Sequence, residues 1–180
     1  MFLLLKPKQH WDMVKSGKNY STLILRRFMI PGLIIILIFI PLGDFLFNSE
    51  FGFLLKDSLI KALLKVLLIL LIFIASRIFL FEVSKAFNIE ISTAAVKRIT
   101  IYAVMPAIFS AIVTGLFPFL YLGGVFPWYG FYLAFVGINI FCEIPEEKRF
   151  YYFFVLFVGM FFSIMIFSFL LKRISFNLLY

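Results

Sequence analysis

The sequence predicts an all-α polytopic membrane protein, a five-transmembrane-helix bundle with its N-terminus in the cytoplasm. Three observations carry that expectation. Hydrophobic residues make up 64% of the chain, 27 of its 180 residues are Phe and the mean hydropathy is +1.10; a soluble domain of this length has no core large enough to bury so much apolar surface. The apolar residues form five runs separated by short charged stretches, and about 20 such residues, rising ~1.5 Å each as a helix, cross a hydrocarbon layer of ~30 Å. Finally, Lys and Arg gather in alternate connections, as they do when basic loops are retained on one side of a membrane.

Ahead of the first span lies a basic amphipathic segment, 1–27. Its apolar run Phe2 to Leu5 is too short for the core of a cleaved signal. Trp11 and Val14, three residues apart and flanked by Lys8, Lys15 and Lys18, suit a short helix between Pro7 and Ser16 on the headgroup surface, its lysines reaching outward. An irregular basic tail is the alternative, since the apolar face is narrow and Gly17 ends it. The membrane domain, 28–180, begins with a span over about 28–47. Pro31 falls in its first turn, where a missing N–H costs little, and Pro41 kinks its far end. Asp44 and Asn48, one turn apart, read as a solvated helix end rather than a cation site.

The second span, about 59–81, carries Lys61, Lys65 and Arg77. Arg77 lies about seven residues, or ~10 Å, from the midpoint near Leu70, within snorkelling reach of the interface. Arg77 and Glu82 are a candidate intramembrane polar pair. No charge occupies the midplane, where ion-coupled transporters hold their sites. After a loop in which Ser92 and Thr93 offer a helix cap, the third span covers about 99–121 and bends at Pro106. Ala103, Ala107, Ala111 and Gly115 recur every four residues along it, on one face.

Gly130, Ala134 and Gly137 answer that stripe from the fourth span, about 124–142, which is reached through Gly123 and Gly124. A small-residue seam between the two spans is expected, because helices in lipid gain dispersion energy from close backbone approach. Phe117, Phe119, Tyr121, Phe126, Trp128 and Tyr129 place the intervening turn at headgroup level. Between Pro127 and Cys142 no side chain is charged; Glu143, Glu146, Glu147, Lys148 and Arg149 then follow in one loop. The fifth span, about 150–171, closes at Lys172 and Arg173.

Orientation follows from the basic residues. Eleven of the 17 fall on one side: Lys6, Lys8, Lys15, Lys18, Arg26 and Arg27, then Lys85, Lys97 and Arg98, then Lys148 and Arg149. Five fall on the other, Lys56, Lys61, Lys65, Lys172 and Arg173, and Arg77 is embedded. The richer side is cytoplasmic, so the N-terminus is expected inside and the C-terminus outside.

IYAVMP (Ile101 to Pro106) and YGFYLAFVGINIFCEIPEEKRFYY (Tyr129 to Tyr152), set in the third span and across the fourth and its loop, resemble the Yip1 family of membrane proteins. Tyr102 and Pro106, then Tyr129, Gly130, Tyr132, Gly137, Pro145, Glu146 and Lys148 carry the likeness. The resemblance implies a five-span protein of the same orientation, whose eukaryotic relatives serve vesicle trafficking and bind small GTPases through cytosolic regions. With 27 residues before its first span, this chain is not expected to take a small GTPase as partner. Its compact Phe-, Ile- and Lys-rich form points to a bacterial inner membrane.

Catalysis lacks its parts. The single histidine, His10, is remote in sequence from Ser76, Ser110, Thr114, Ser163 and Ser168, so no hydroxyl has a base within hydrogen-bond reach; those hydroxyls are expected on carbonyls of the preceding turn. One Cys and one His make no zinc set, and Glu143, Glu146 and Glu147 beside two cations read as a charged loop. No catalytic residue, metal site or cofactor is therefore expected. Nucleic acid is excluded as a partner because the basic residues are scattered; the bilayer, a membrane-protein partner or a second copy remain. Two functions fit: a non-enzymatic membrane scaffold or assembly and trafficking factor, or a small transporter or lipid-handling, scramblase-like protein whose third and fourth spans line a groove. The missing midplane charges favour the scaffold.

Overall fold

A computed structural model of the chain describes Trp11 and residues 25–47, 55–120 and 125–179. Five α-helices and no strand are found among them: α1 (Ile30–Phe47), entered through a π-helical turn at Leu25–Met29, then α2 (Leu55–Ala86), α3 (Thr93–Leu116), α4 (Phe126–Phe141) and α5 (Glu146–Leu179). The expected surface helix over Pro7–Ser16 lies outside the described residues apart from Trp11, as do Asn48, Tyr121 and the Gly123–Gly124 turn.

α2, α5 and the start of α3 outrun the expected spans, because helix ends are set by caps and prolines, not by where hydropathy fades. Ser92 caps α3, its hydroxyl accepting the N–H of Ala95 at 3.1 Å, so this helix starts six residues before the expected span. It ends at Leu116 rather than Tyr121, since Pro118 disfavours helical geometry in the residue before it. Pro145 likewise sets the start of α5: its carbonyl accepts the Lys148 N–H at 3.0 Å, and Glu146 and Glu147 occupy the first turn, where the helix dipole favours anions. α2 closes in a Schellman motif. Asn88, at φ 56°, takes the left-handed position, while the Ile89 N–H reaches Ser84 O at 2.9 Å and the Asn88 N–H reaches Lys85 O at 3.1 Å.

Four helical stretches are long and apolar enough to cross a membrane: Arg27–Phe47, Leu55–Ala86, Thr93–Leu116 and Glu146–Ser175. α4 is shorter, 16 residues, or ~24 Å at the helical rise. Contacts fix the topology. Asp44 meets Ser58 and Lys61, so α1 and α2 are antiparallel; Ser84 meets Tyr152, and Phe79 abuts Gly159, which makes α2 and α5 antiparallel. α3 and α4 are antiparallel through Ala103 and Gly130, whereas α1 and α3 run parallel, Gly32 against Ile108 and Gly43 against Gly115. The bundle thus has an Asp44 end, with the α1–α2 and α3–α4 connections, and a Glu146 end, with the other two. Large apolar side chains such as Leu63, Ile78 and Phe169 remain exposed on its perimeter, where lipid is their solvent.

Small residues mark where backbones meet, but not along the expected single seam. The stripe on α3 is divided: Ala103 faces α4, where a Cβ on Gly130 would strike the Ala103 carbonyl, while Gly115 faces α1, where its Cβ would lie 2.8 Å from Ile40 Cγ1. Ala111 is buried in the same α1–α2–α3 cluster, with Ile36, Ile69 and Ile108. Each four-residue step turns about 40° around the axis, so Ala103 and Gly115 point about 120° apart and a stripe at this spacing passes from one neighbour to the next. α1 supplies the other half of this second seam through Gly32, Ile36 and Gly43, all buried.

Gly43→Ala should therefore destabilise more than Gly32→Ala. The added methyl at 43 meets the Gly115 backbone carbonyl, whereas at 32 it meets the Ile108 side chain, which has somewhere to go; overpacking against backbone costs about 1–3 kcal/mol. Melting of the detergent-solubilised protein ranks the two, and equal melting temperatures would contradict the seam.

Candidate functional site

The residues singled out in the sequence converge on two places, a socket toward the Glu146 end and a cavity behind it. Trp11 fills the socket. It is fully buried, with its indole edge-on to Tyr102 at 4.8 Å and to Phe141 at 5.9 Å between ring centroids. A Cβ on Gly137 would lie 2.8 Å from Trp11 Cζ2, so glycine there is what admits the ring. The expectation of Trp11 on the headgroup surface is corrected: its partners are α3 and α4, not lipid headgroups. Three-residue spacing to Val14 showed a face but could not show that the face meets protein.

Beside the socket, Tyr152 of α5 is fully buried and its hydroxyl lies 2.7 Å from Ser84 Oγ of α2. Ser84 gives its own proton to Leu80 O at 2.7 Å, so Tyr152 is the donor in the pair. This bond pins α5 to α2 and leaves neither buried hydroxyl unsatisfied. Ile89, Cys142 and Ile144 complete the same apolar cluster. Toward solvent, Glu143, Pro145, Glu146, Glu147, Lys148 and Arg149 are all exposed; Lys148 Nζ reaches the Phe87 carbonyl at 3.5 Å. Phe150 and Tyr151 continue that surface, 72% and 65% exposed.

The cavity, of about 230 Å³, lies among α2, α3, α4 and α5. Ala103, Ala107, Gly130 and Ala134 form part of its wall, with Ile69, Ile72, Phe131 and Met160. Polar groups stand at its two ends: Lys65, Ser110 and Ser168 toward the Asp44 end, Ser76 and Thr100 deeper in. Thr100 donates to Val96 O at 2.9 Å, as expected of a hydroxyl in a membrane helix, and Thr114 and Ser163 do the same one turn back.

The remaining motif residues are placed as follows. Pro106 is buried inside α3, Tyr129 is half-buried and Tyr132 exposed, their rings 5.4 Å apart. Arg77 and Glu82 are both exposed and no ion pair joins them among the described residues; five residues apart, they project about 140° from each other around α2. Asp44, read as a solvated helix end, is instead an interhelical acceptor: Ser58 Oγ donates to it at 2.7 Å and Lys61 Nζ at 3.3 Å, and its side chain is only 14% exposed. Among the described residues no three His, Cys, Asp or Glu side chains gather as a metal set. Trp11, Ser84 and Tyr152 were the residues that sequence reasoning missed; the last two carried no signal, but Gly137 opposite an isolated Trp is a size match visible in retrospect.

Trp11→Ala empties a filled socket and should cost about 3 kcal/mol or more, read as a lower melting temperature. Gly137→Ala should expel the same ring, so the two changes together should cost far less than their sum, the signature of a shared contact. In a Trp128→Phe background, Trp11 emission should shift to the red in Gly137→Ala; additive losses and an unmoved spectrum would remove the socket.

Neither a curated protein nor a solved structure matches the chain. A family model for the Yip1 domain matches residues 1–167, which takes in Trp11, both glycine seams and the Glu146 loop, and the chain therefore belongs to the Yip1 family.

Proposed function

We propose that this protein is a non-enzymatic membrane scaffold that holds a membrane-protein partner at its Glu146 end, as an assembly or trafficking factor. The observation that carries the reading is the contrast at that end. Tyr102, Gly130 and Gly137 are occupied in packing, whereas Glu143 to Tyr151 presents a charged strip with two adjoining aromatic rings and few contacts of its own. Aromatic side chains beside a polar rim are the composition that protein partners select. Family membership supports a membrane protein of trafficking or scaffold type. The bilayer surrounds the protein in either case.

The reading includes a topology. All five helices cross a bacterial inner membrane, the N-terminus and the Glu146 end inside, the C-terminus outside; support comes from the Lys and Arg distribution and from the alternation of helix directions. α4 at ~24 Å crosses with local thinning of the bilayer. A second reading, the handling of a lipid, is favoured by the cavity among α2 to α5.

Two measurements test these proposals. Glu146→Lys with Glu147→Lys should abolish co-purification of a defined membrane protein in mild detergent while leaving the melting temperature within a few degrees; an unchanged set of co-purifying proteins would count against the docking strip. A phosphatase reporter that works only outside the cytoplasm should be active when fused after Tyr180. Activity there of a cytoplasm-only reporter instead would mean an even number of crossings.

A further inference from the structure

The cavity is built asymmetrically. Its wall is apolar along most of its length, but one end holds Lys65, one helical turn from Lys61 on the same face of α2. A shallow pocket adjoining that end is lined by Asp44, Lys61, Lys65 and Thr114. Lys61 Nζ lies 3.3 Å from Asp44, and Lys65 lines the same pocket, so its lining carries one more positive charge than negative. A cation at the edge of a hydrocarbon layer is stabilised by an anion that can reach it. From Lys65 to Leu80 the cavity follows α2 for about 15 residues, or ~22 Å, more than the half-thickness of ~15 Å occupied by the chains of one leaflet.

One wall of the cavity is unlike the others. α3 lies against α4 at backbone distance through Gly130, and α2 against α5 with the Phe79 ring seated on Gly159, where no Cβ intervenes. α4 and α5 instead meet through aromatic rings, Trp128 with Phe161 at 5.9 Å, Phe131 with Phe157 at 5.2 Å and Phe135 with Phe153 at 4.3 Å. A second groove of about 260 Å³ runs along this seam and shares Phe131, Ala134 and Met160 with the cavity. The Phe131 ring is therefore what stands between the lipid-facing groove and the interior space, and rings turn more cheaply than helices part.

We propose that the cavity holds one acyl chain of an anionic phospholipid drawn from the bilayer, admitted sideways past Phe131 between α4 and α5, with the phosphate at Lys65 and Lys61. The apolar wall takes the chain and the excess charge selects the headgroup. This rests on the lipid-handling reading only in that both use the cavity; holding a lipid does not require moving it between leaflets.

The test uses the full chain in nanodiscs of equal phosphatidylglycerol and phosphatidylcholine, with native mass spectrometry of the lipid retained on release. The expected result is one phosphatidylglycerol per chain, favoured over phosphatidylcholine by roughly fivefold, the factor that one lysine near an anionic headgroup gives. Lys65→Gln should bring the two lipids to parity without loss of the bound chain. Ala107→Phe and Ser168→Phe, which place a ring in the cavity from opposite walls, should each lose the lipid. Unchanged headgroup preference in Lys65→Gln, or full retention in a folded ring-bearing variant, overturns the proposal. Where neither ring variant folds, brominated phosphatidylglycerol reads the same site in a Trp11→Phe background: it should quench Trp128 saturably and be displaced by its unbrominated form. Linear, undisplaced quenching overturns it, as does displacement by inorganic phosphate, which would make the site one for a free anion. A protein that retains the lipid yet moves none in reconstituted vesicles supports the site and removes only the lipid-moving reading.

Discussion

In lipid, two apolar helices gain nothing by leaving their solvent for each other, so a bundle depends on contacts that acyl tails make less well. Here those contacts are places where the backbone of one helix comes against another because no Cβ intervenes: Gly43 at the Gly115 carbonyl and Gly130 at the Ala103 carbonyl. Each lets dispersion act over many atoms at short range. α3 carries both seams, α1 on one side and α4 on another, which makes it the helix around which the others are arranged. Its burial agrees: Ile99, Ile101, Tyr102, Val104 and Ala111 are all nearly inaccessible, while α1, α2 and α5 leave long apolar side chains facing outward.

Most buried hydroxyls are tolerated in this setting because they find a partner close by, whereas the buried Trp11 indole Nε1 has none among the described residues. Ser84, Thr100, Thr114 and Ser163 donate to carbonyls one turn back, a bond that needs no second helix. Tyr152 alone uses such a serine to reach across, from α5 to α2. Asp44 does the same at the other end, where Ser58 and Lys61 satisfy it. These polar contacts lie near opposite ends of the bundle, and the backbone seams lie between them. This is a physical reason for the apolar midplane seen in the sequence: unpaired charge there would cost more than such contacts return.

Much of the fold was legible in the sequence because hydropathy reports the solvent. Five apolar runs became five helices, and Ser92 marked a helix start through its capping geometry. What hydropathy cannot report is which neighbour a face meets. The α3 stripe was read as one seam because neighbours four apart lie close on a helix, although three such steps turn Gly115 about 120° away from Ala103; Gly32 and Gly43, eleven residues apart and hence on one face of α1, were the unread sign of a second seam. Pro118 was an unread stop for α3. Trp11 was misplaced for a deeper reason: an amphipathic basic segment is the pattern of a surface helix and of a segment that inserts one ring into protein, and only the missing side chain at Gly137 separates the two. Of the candidate site, Ala103, Ala107, Gly130 and Ala134 were singled out for packing, but the cavity they border depends on α2 and α5 side chains that no local pattern links.

The seams also differ in stiffness, and the cavity's position follows from that difference. Where Gly130 meets Ala103, or Gly43 meets Gly115, separation by even an ångström forfeits much of the contact. Rings on α4 and α5, centroids 4.3 to 6.5 Å apart, span a wider gap with side chains that have their own torsions. α5 is held to α2 by Tyr152 and by Phe79 on Gly159, and α4 to α3 by Gly130, whereas α4 and α5 are kept apart by the rings that stand between them. The space left is filled only in part by Phe131 and its neighbours, so a partly open cavity bordered by a movable wall follows from this packing. Lys65, exposed yet lining one end of that space, is what distinguishes it from a packing defect.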